Sequence, residues 1–502
     1  MKVVLMSSWS NIDSTSLPLG IGYIASVLKQ NGFQVDYIDR TLITEDDKIV
    51  ERLNELKPDV VGVAIMTPTF SAGKKMTALA RKCVAKPLVV VGGPHPTVWP
   101  EKCLEDKNVD IAVIAEGEYT MLELMQALRD KKTLQGIKGI FYKDKNGKII
   151  KNLPRPFIDN IDELPFPDFK LLNVDFYSKL IGDFPTIIPQ TMVMAGRGCP
   201  FNCSYCQPTG EKLAGRKLRI RSPKNLVDEL EWLKNTYGFT SFKLGCDTLT
   251  VNKKWVKDFA DEMVQRKLNI IFLICTRVDC VDEQVIKDLK RAGCFWVIFG
   301  TESGSQRVLN EIMHKGATVE QAREAFKLCK KYKLLAGANI MIGTPGETLE
   351  DVKQTIKLVQ EIKPDTCAEY VTCPFPGTHL YDNALKNNLL LEFDPDNSRL
   401  FDRHRGGLIK RDLSDEQIMF FTRFIWMEVK KQKLSYYLMP WKKPYYLRVV
   451  AKRNWCTLRY DFKVFFKFLG LAAKLPFVLA KFYFLELPKK KHLFNQQIKS
   501  TT

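Results

Sequence analysis

The chain has 502 residues, of which 45% are hydrophobic, so it is long and apolar enough to bury more than one core. Its thirteen cysteines are an odd number spread along the whole length, which excludes a compact disulfide scaffold and favours free or metal-bound thiols in a reducing compartment. The net charge of +19 is uneven, because residues 403–502 carry 22 Lys and Arg against 6 Asp and Glu.

The apolar runs of the chain bear on its location. The first ten residues, with one lysine and a short apolar run, predict a β-strand rather than a signal peptide. No run of 18 residues is free of charge, so the sequence predicts no membrane-spanning helix. We therefore expect a cytoplasmic protein.

The first third of the chain alternates short apolar runs with helical patterns. The apolar runs lie at 3–6, 35–39, 60–65, 88–93 and 111–116, and the helical patterns at 18–31, 45–56, 71–84 and 118–130. This alternation predicts βαβ units and a doubly wound, Rossmann-like α/β domain whose ligand lies at the carboxyl ends of the strands. Glycines and small hydroxylated residues at those ends let a bulky ligand approach the backbone, although a plain turn explains Gly92 and Gly93 equally well.

Three motifs of this region, at 18–23, 92–95 and 116–118, resemble the cobalamin-binding domain that precedes many radical S-adenosylmethionine (SAM) enzymes. The resemblance implies that a cobalamin site is lined by Asp39, Thr67, Gly92, Gly93 and Glu116. The Asp-x-His-x-x-Gly motif that supplies a histidine to cobalt is absent, which leaves the lower cobalt ligand open. His95 either faces the corrin or is a hydrogen-bonded structural residue beside a turn.

A predicted hairpin and a proline-rich stretch follow this domain. Asn146-Gly147 is a strong hairpin turn signal between two apolar runs. Closely spaced prolines from Pro154 to Pro167 break both helices and strand ladders, so we place an interdomain linker there.

Cys199, Cys203 and Cys206 have the spacing Cys-x3-Cys-x2-Cys directly after an apolar run. Three thiolates on one short loop can bind three irons of a [4Fe–4S] cubane and leave the fourth iron open. A zinc site is the alternative, but structural zinc takes four ligands, usually as two spaced pairs, and no second Cys or His pair lies nearby. The spacing therefore favours an iron–sulfur cluster.

The cysteine motif is that of the radical SAM enzymes, and the resemblance extends over most of residues 186–390. It implies that SAM binds the open iron and is cleaved, after one-electron reduction, to methionine and a 5′-deoxyadenosyl radical. A reductant such as flavodoxin or ferredoxin is the implied electron source.

The strands and helices of the middle region predict a partial (β/α)6 barrel. Strand-like runs at 241–247, 270–277, 295–301, 336–343 and 367–373 alternate with helical patterns. By the resemblance, SAM is contacted by strand-end residues: Tyr205 and Gly343 to Gly346 near the adenine, Asp247 near the amino group and Glu302 at the ribose. Arg219 and Arg277 either pair with a carboxylate of SAM or substrate or form ordinary salt bridges. No catalytic side chain is assigned.

The basic tail mixes aromatic and aliphatic residues with Lys and Arg, most densely at 460–484. Three interpretations stay open: an amphipathic helix in a membrane interface, an RNA-binding surface, and a helical cap with a solvated basic face. The high apolar content between the charges favours a peripheral membrane surface over nucleic acid.

We expect a cobalamin-binding domain at 1–150, a linker at 151–185, a radical SAM barrel at 186–390 and a mostly helical basic region at 391–502. This order resembles the class B radical SAM methyltransferases, which implies that a substrate radical captures a methyl group from cobalamin. The expected reaction is methylation of an unactivated carbon of an apolar small molecule, such as a hopanoid or isoprenoid lipid or a tetrapyrrole, at the cytoplasmic face of the membrane.

Two other activities are considered. A cobalamin-dependent radical SAM oxidative cyclase or rearrangement enzyme shares every motif found here. A tRNA methylthiotransferase is disfavoured, because that family carries three further cysteines in its N-terminal domain, whereas the first 190 residues hold only Cys83 and Cys103.

Overall fold

The computed structural model describes residues 1–8, 17–178, 190–206, 213–391, 409–438, 474 and 476–494. These residues form two large sheets that are parallel or mainly parallel, one in the N-terminal part and one in the middle of the chain, followed by helices. The predicted α/β fold class is confirmed.

The N-terminal sheet has seven strands in the order β2-β1-β3-β4-β5-β6-β7. The strands are β1 Lys2–Ser7, β2 Gln34–Asp39, β3 Val60–Ala64, β4 Leu88–Gly92, β5 Ile111–Val113, β6 Ile140–Lys143 and β7 Ile149–Lys151. The first five are parallel, and β6 and β7 form the predicted antiparallel hairpin. The strand order reverses between β1 and β3, and in such sheets the crevice beyond the carboxyl ends at this point is the usual ligand site.

Helices cover both faces of this sheet. They are α1 Leu19–Gln30, α2 Asp46–Leu56, α3 Phe70–Arg81, α4 Pro94–Val98, α5 Pro100–Leu104, α6 Glu118–Arg129 and α7 Val174–Tyr177. Strands buried on both faces are continuous apolar runs, which explains why β1, β3 and β4 are rich in valine. The core between the sheet, α1 and α6 continues into the core of the barrel, so the two sheets share apolar packing.

The second sheet has six parallel strands in the order β8-β11-β12-β13-β14-β15. They are β8 Gln190–Met194, β11 Ser241–Gly245, β12 Ile271–Arg277, β13 Cys294–Glu302, β14 Leu335–Ile342 and β15 Thr366–Val371. Two short strands, β9 Gly196–Arg197 and β10 Arg219–Ile220, pair beside it. The predicted partial barrel is present, with its six strands in sequence order.

Five helices connect the barrel strands: α8 Pro223–Tyr237, α9 Lys253–Arg266, α10 Glu283–Ala292, α11 Val319–Lys331 and α12 Leu349–Ile362. Each begins at a polar side chain that accepts a hydrogen bond from the first turn. Such caps satisfy amide groups that have no partner inside the helix, and they explain where each helix begins.

The described part of the tail is helical and packs on the barrel. Helix α13 spans His379–Lys386, and α14 spans Asp415–Leu438 and packs against β15 and α12. Residues 476–494, called here the C-terminal helix, pack on α14. Most of the predicted amphipathic segment 460–484 lies outside the described residues. Within the described chain, no helix has the length and apolarity to cross a membrane. The domain boundaries at 150, 185 and 390 stay predictions.

Candidate functional site

The cysteine loop lies at the carboxyl ends of the barrel strands. Cys199, Cys203 and Cys206 line one cavity of about 250 Å³, together with residues just after β11 and residues at the carboxyl ends of β12 and β13. Gly198 has a φ of +87°, and a Cβ there would lie 2.5 Å from the Lys217 carbonyl oxygen, so the loop requires glycine at this position. The loop is anchored by Ser204, whose hydroxyl donates to the carbonyl of Ile312 at 2.7 Å.

The donor set of this loop fits a [4Fe–4S] cluster. In a cubane each thiolate binds a different iron, so the three sulfurs must surround one space rather than converge on one point. The three thiols share the wall of one cavity. Among the described residues, no three His, Cys, Asp or Glu side chains converge as the ligands of a single metal ion do.

Arg277, at the end of β12, contacts the cysteine loop from the opposite wall. Its Nη1 donates to Cys203 Sγ at 3.2 Å, and its guanidinium lies 3.7 Å from the centre of the Phe201 ring. Asp279 accepts two hydrogen bonds from the same guanidinium, at 2.9 and 2.7 Å. Arg277 is therefore both a salt-bridging arginine and a neighbour of a predicted cluster ligand.

Glu302, Tyr205 and Lys315 meet on the wall of the same cavity. The Lys315 ammonium donates to Tyr205 Oη at 3.1 Å and to Glu302 Oε1 at 3.2 Å, and Lys315 is 4% exposed. Glu302 stands at a bulge of β13 with a φ of +63°, a backbone conformation that costs a glutamate energy and is common at functional sites. Sequence reasoning missed Lys315, because no local pattern connects it to Tyr205, which lies 110 residues earlier.

Asp247 follows β11 and faces the cavity beside the cysteines. The surrounding protein reduces its hydration, and this desolvation raises the pKa of its carboxyl. The neighbouring Thr248 hydroxyl lies 3.8 Å from Cys199 Sγ and donates to it. The structure thus brings Tyr205, Asp247 and Glu302 together with the three cysteines.

The glycine-rich loop after β14 does not line this cavity. Gly343 and Gly346 both have positive φ values, and they contact the segment before α14. Arg411 Nε donates to the Gly343 carbonyl at 2.9 Å, and the Gly346 amide donates to Asp412 at 2.8 Å. The SAM contacts of these glycines stay predictions, whereas their attachment to the C-terminal region is a finding that no sequence pattern indicated.

Glu347 ends the same loop and is fully buried. Its Oε2 accepts hydrogen bonds from the Gly343 amide at 2.6 Å and the Thr344 amide at 3.2 Å. Burial raises the pKa of Glu347 to about 8, although these two hydrogen bonds lower it. The carboxyl is therefore mainly protonated at neutral pH.

The five residues predicted to line the cobalamin site all lie at or just beyond the carboxyl ends of strands of the N-terminal sheet. They have different surroundings there. Asp39 is buried and accepts from Tyr177 Oη at 2.6 Å and from the Thr41 amide at 2.9 Å. Gly93 has a φ of +101°, and a Cβ there would lie 2.9 Å from the Ile65 carbonyl, so the turn itself requires this glycine. A Cβ at Gly92 would make ordinary van der Waals contact with Val113 at 3.8 Å, so packing does not require glycine at this position.

Thr67 and His95 lie next to each other at these strand ends. The Thr67 hydroxyl is 3.3 Å from His95 Nδ1. His95 is completely buried between the rings of Phe70 and Trp99, with ring centres 4.1 and 5.7 Å away. This burial favours the structural interpretation of His95 over a residue that faces a corrin.

Glu116 connects the N-terminal sheet to the cysteine loop. It accepts hydrogen bonds from Arg197 Nη1 at 2.8 Å and from Arg219 Nη1 at 3.0 Å. Arg197 also donates to Glu118 at 2.5 Å, and all four side chains are buried. Burial by itself would raise the pKa of Glu116, but the hydrogen bond from Arg219 and the charge of Arg197 hold that pKa below its usual value. Arg219 is thus a salt-bridging arginine; the cobalamin contact of Glu116 stays a prediction.

Comparisons with known proteins match both parts of the chain. The sequence model of the B12 binding domain matches residues 10–125, and that of the Radical SAM superfamily matches residues 193–359. An uncharacterised methyltransferase of Pyrococcus horikoshii is 35% identical over 433 residues, which cover 86% of this chain and 89% of that protein. The chain belongs to the cobalamin-dependent radical SAM methyltransferase family. The predicted enzyme class and the three predicted cofactors, a [4Fe–4S] cluster, SAM and cobalamin, are confirmed as those of the family.

Two further matches are a more distant relative and a solved structure. The anaerobic magnesium-protoporphyrin IX monomethyl ester cyclase of Rubrivivax gelatinosus is 28% identical over 419 residues, covering 81% of this chain and 74% of that enzyme. The radical SAM methyltransferase TsrM of Kitasatospora setae, solved with cobalamin and a [4Fe–4S] cluster, superposes with a TM-score of 0.66. It is 19% identical, and the match covers 78% of this chain and 76% of that one, so it shows the shared fold.

Proposed function

We propose that this enzyme methylates an unactivated carbon of an apolar small molecule. The observation that carries the proposal is the cavity in which three cysteines meet Asp247, Glu302 and Lys315, in a chain that also has a B12 binding domain. When bound, the cluster and SAM supply a radical that abstracts hydrogen from carbon, and cobalamin supplies the methyl group.

Within the cavity we assign roles to this chain's own residues. Cys199, Cys203 and Cys206 hold the cluster, and Tyr205, Asp247 and Glu302 surround the SAM bound beside it. Outside the residues that line this cavity, Gly343 and Gly346 shape the loop after β14, which we propose to lie along the adenine. These groups are held in place before SAM arrives, because Lys315 and Arg277 already fix the orientations of Glu302, Tyr205 and the cysteine loop.

For cobalamin we propose the crevice at the carboxyl ends of the N-terminal strands. The crevice is bordered by Thr67, Gly92 and Gly93. Its buried base is formed by Asp39 and Glu116, which accept hydrogen bonds from other parts of the chain. The reversal of the strand order between β1 and β3 supports this location, because large ligands of such sheets bind in the crevice beyond the carboxyl ends at that point.

Substrate class and location are part of the same proposal. A hopanoid or isoprenoid lipid or a tetrapyrrole is the expected substrate, and the cytoplasmic face of the membrane is the expected place of action. A flavodoxin or ferredoxin supplies the electron, and no nucleic acid takes part. Exposed phenylalanines of the C-terminal helix support an apolar environment.

An oxidative cyclase is the second candidate, and the cyclase relative favours it. The two activities leave different products. A methyltransferase forms S-adenosylhomocysteine together with 5′-deoxyadenosine and moves the SAM methyl group into the substrate. A cyclase forms 5′-deoxyadenosine without methyl transfer.

The deciding experiment is anaerobic incubation of the reconstituted enzyme with methyl-labelled SAM, a reductant and either a lipid extract or a tetrapyrrole pool. We expect the label in one product by mass spectrometry and S-adenosylhomocysteine in step with it. The variant Cys199→Ala should lose 5′-deoxyadenosine production. Oxidised, unlabelled product would assign the cyclase activity instead, and deoxyadenosine from Cys199→Ala would contradict the cluster assignment.

A further inference from the structure

The C-terminal helix has one face packed on α14. Leu479, Phe482 and Leu493 are buried, and Phe482 lies against the rings of Phe420 and Phe424. The hydroxyl of Tyr483 donates to Glu428, and Arg423 pairs with Glu486 at 2.9 Å. This face is a helical cap of the barrel, as one of the three interpretations of the tail predicts.

Other side chains of the same helix are apolar and exposed. Phe477 and Phe484 expose 78% and 79% of their surface, and Leu485 exposes 59%. Val478 exposes 39% of its surface, and all four residues lie within nine positions of the chain that overlap the π-helical stretch Lys481–Glu486. We call these four residues the exposed apolar face. Single exposed apolar side chains are common on protein surfaces, but a group of large ones close together marks an interaction surface.

Positive charges accompany the exposed apolar face. Lys474, Lys481 and Lys489 are exposed along the same stretch of chain. The single acidic residue of residues 474–494 is Glu486, and Arg423 neutralises it. A helix of this kind suits an interface in which apolar side chains enter the acyl boundary and lysines meet anionic headgroups.

We propose that the exposed apolar face of the C-terminal helix binds the surface of a membrane that contains anionic lipid. RNA fits less well, because Val478 and Leu485 offer no ring on which a base can stack. A second copy of this chain also fits less well. A two-fold contact through this face would bring the lysines of both helices together, and like charges across an interface oppose association.

The surface is connected to the barrel through α14. Arg411 and Asp412, just before this helix, bond to Gly343 and Gly346 of the loop after β14. The lipid-binding surface is thus carried by the same structural unit that holds this loop. Membrane binding itself needs neither cofactor nor substrate, so it can be tested apart from the proposed methylation.

The test is flotation of the full chain with vesicles of phosphatidylcholine alone or of equal parts of phosphatidylcholine and phosphatidylglycerol. The wild-type protein should float with the anionic vesicles and less so as salt is raised. The double variant Phe477→Glu, Phe484→Glu should lose binding by about tenfold or more. Phe477→Ser, Phe484→Ser, which adds no charge, should lose it as well.

A matched control is Val84→Glu, Val264→Glu, which places two charges at exposed valines away from this helix and should bind like the wild type. All variants should keep the wild-type melting temperature, because the changed side chains are exposed. The proposal would be overturned if the wild-type protein did not bind anionic vesicles. It would also be overturned if both Phe477/Phe484 double variants bound these vesicles as well as the wild type does. A wild-type dimer that these variants convert to a monomer, without vesicle binding, would assign the face to self-association.

Discussion

Glu116, beyond β5 of the N-terminal sheet, and Arg197 of β9, just before the cysteine loop, form a buried ion pair, with Oε1 and Nη1 2.8 Å apart. Arg197 lies two residues before Cys199, and Glu116 lies three residues after β5. One carboxylate of the proposed cobalamin domain therefore orients the start of the proposed cluster loop. Arg219 binds the same carboxylate at 3.0 Å, so the contact is a network rather than a single pair.

Substitution of Glu116 by Gln should destabilise the protein by about 3 kcal/mol, because removal of one partner leaves buried charge uncompensated. The fold lowers the pKa of Glu116. The contribution of Glu116 to stability is therefore complete above the pKa that it has in the unfolded chain, and it is lost as the pH falls through the pKa that it has in the folded protein. Thermal unfolding of wild type and variant at neutral and acidic pH measures both effects. Glu105→Gln, at an exposed ion pair, is the control and should change stability by less than about 1 kcal/mol. Equal stability of the two variants would contradict a role of the network in holding the sheets together.

Glu347 should make stability depend on pH in the opposite sense. Its folded pKa of about 8 exceeds the ordinary value of 4.5, so its contribution is complete below about pH 4.5 and is lost as the pH rises through 8. Glu347→Gln should remove this loss, which is on the order of 5 kcal/mol between those limits. Denaturant unfolding from pH 5 to 9 provides the measurement. If the free energy of unfolding of Glu347→Gln changed with pH as that of the wild type does, Glu347 would not be the source of the pH dependence.

Loss of the Arg277 charge should make the cluster harder to reduce. A cation that donates to Cys203 Sγ stabilises the more negative, reduced cluster, and net charge and hydrogen bonds to sulfur set such potentials. Arg277→Gln should therefore shift the midpoint potential to a more negative value, and Arg277→Lys should shift it less. A redox titration followed by electron paramagnetic resonance gives these potentials. Arg266→Gln, in a surface ion-pair network of α9, should leave the potential unchanged.

Lys315 should control SAM affinity through the residues that it orients. Lys315→Met removes the donor to Glu302 and Tyr205, and loss of a charged hydrogen bond of about 1.5–3 kcal/mol corresponds to roughly 10- to 100-fold weaker binding. Lys315→Arg should retain much of the affinity. Equilibrium dialysis with SAM measures the change, and iron and sulfide content should stay at the wild-type level. Loss of the cluster in Lys315→Met would instead indicate a role in holding the cysteine loop.

Much of the fold was predictable because its signals are local. Alternating apolar runs and helical patterns predicted the strands of both sheets, which differ from the observed ones by a few residues at their ends. The run at 111–116 is the largest difference: β5 ends at Val113, since Ala115 adopts a left-handed φ of +59°. The cysteine triplet was equally readable as a candidate cluster site, because one short loop contains all three cysteines, and their binding of the cluster stays a prediction.

The sequence by itself determined the order of the two α/β parts, the cysteine loop and the strand ends where polar residues gather. Only the tertiary structure decided which distant residues meet: Lys315 with Tyr205, Arg197 with Glu116, and Arg411 with Gly343. It also decided which face of the C-terminal helix is packed, a choice that periodicity leaves open when both faces carry apolar residues. The physical reason is that strand and helix patterns arise from neighbours along the chain, whereas buried ion pairs and packed faces arise from elements brought together by folding.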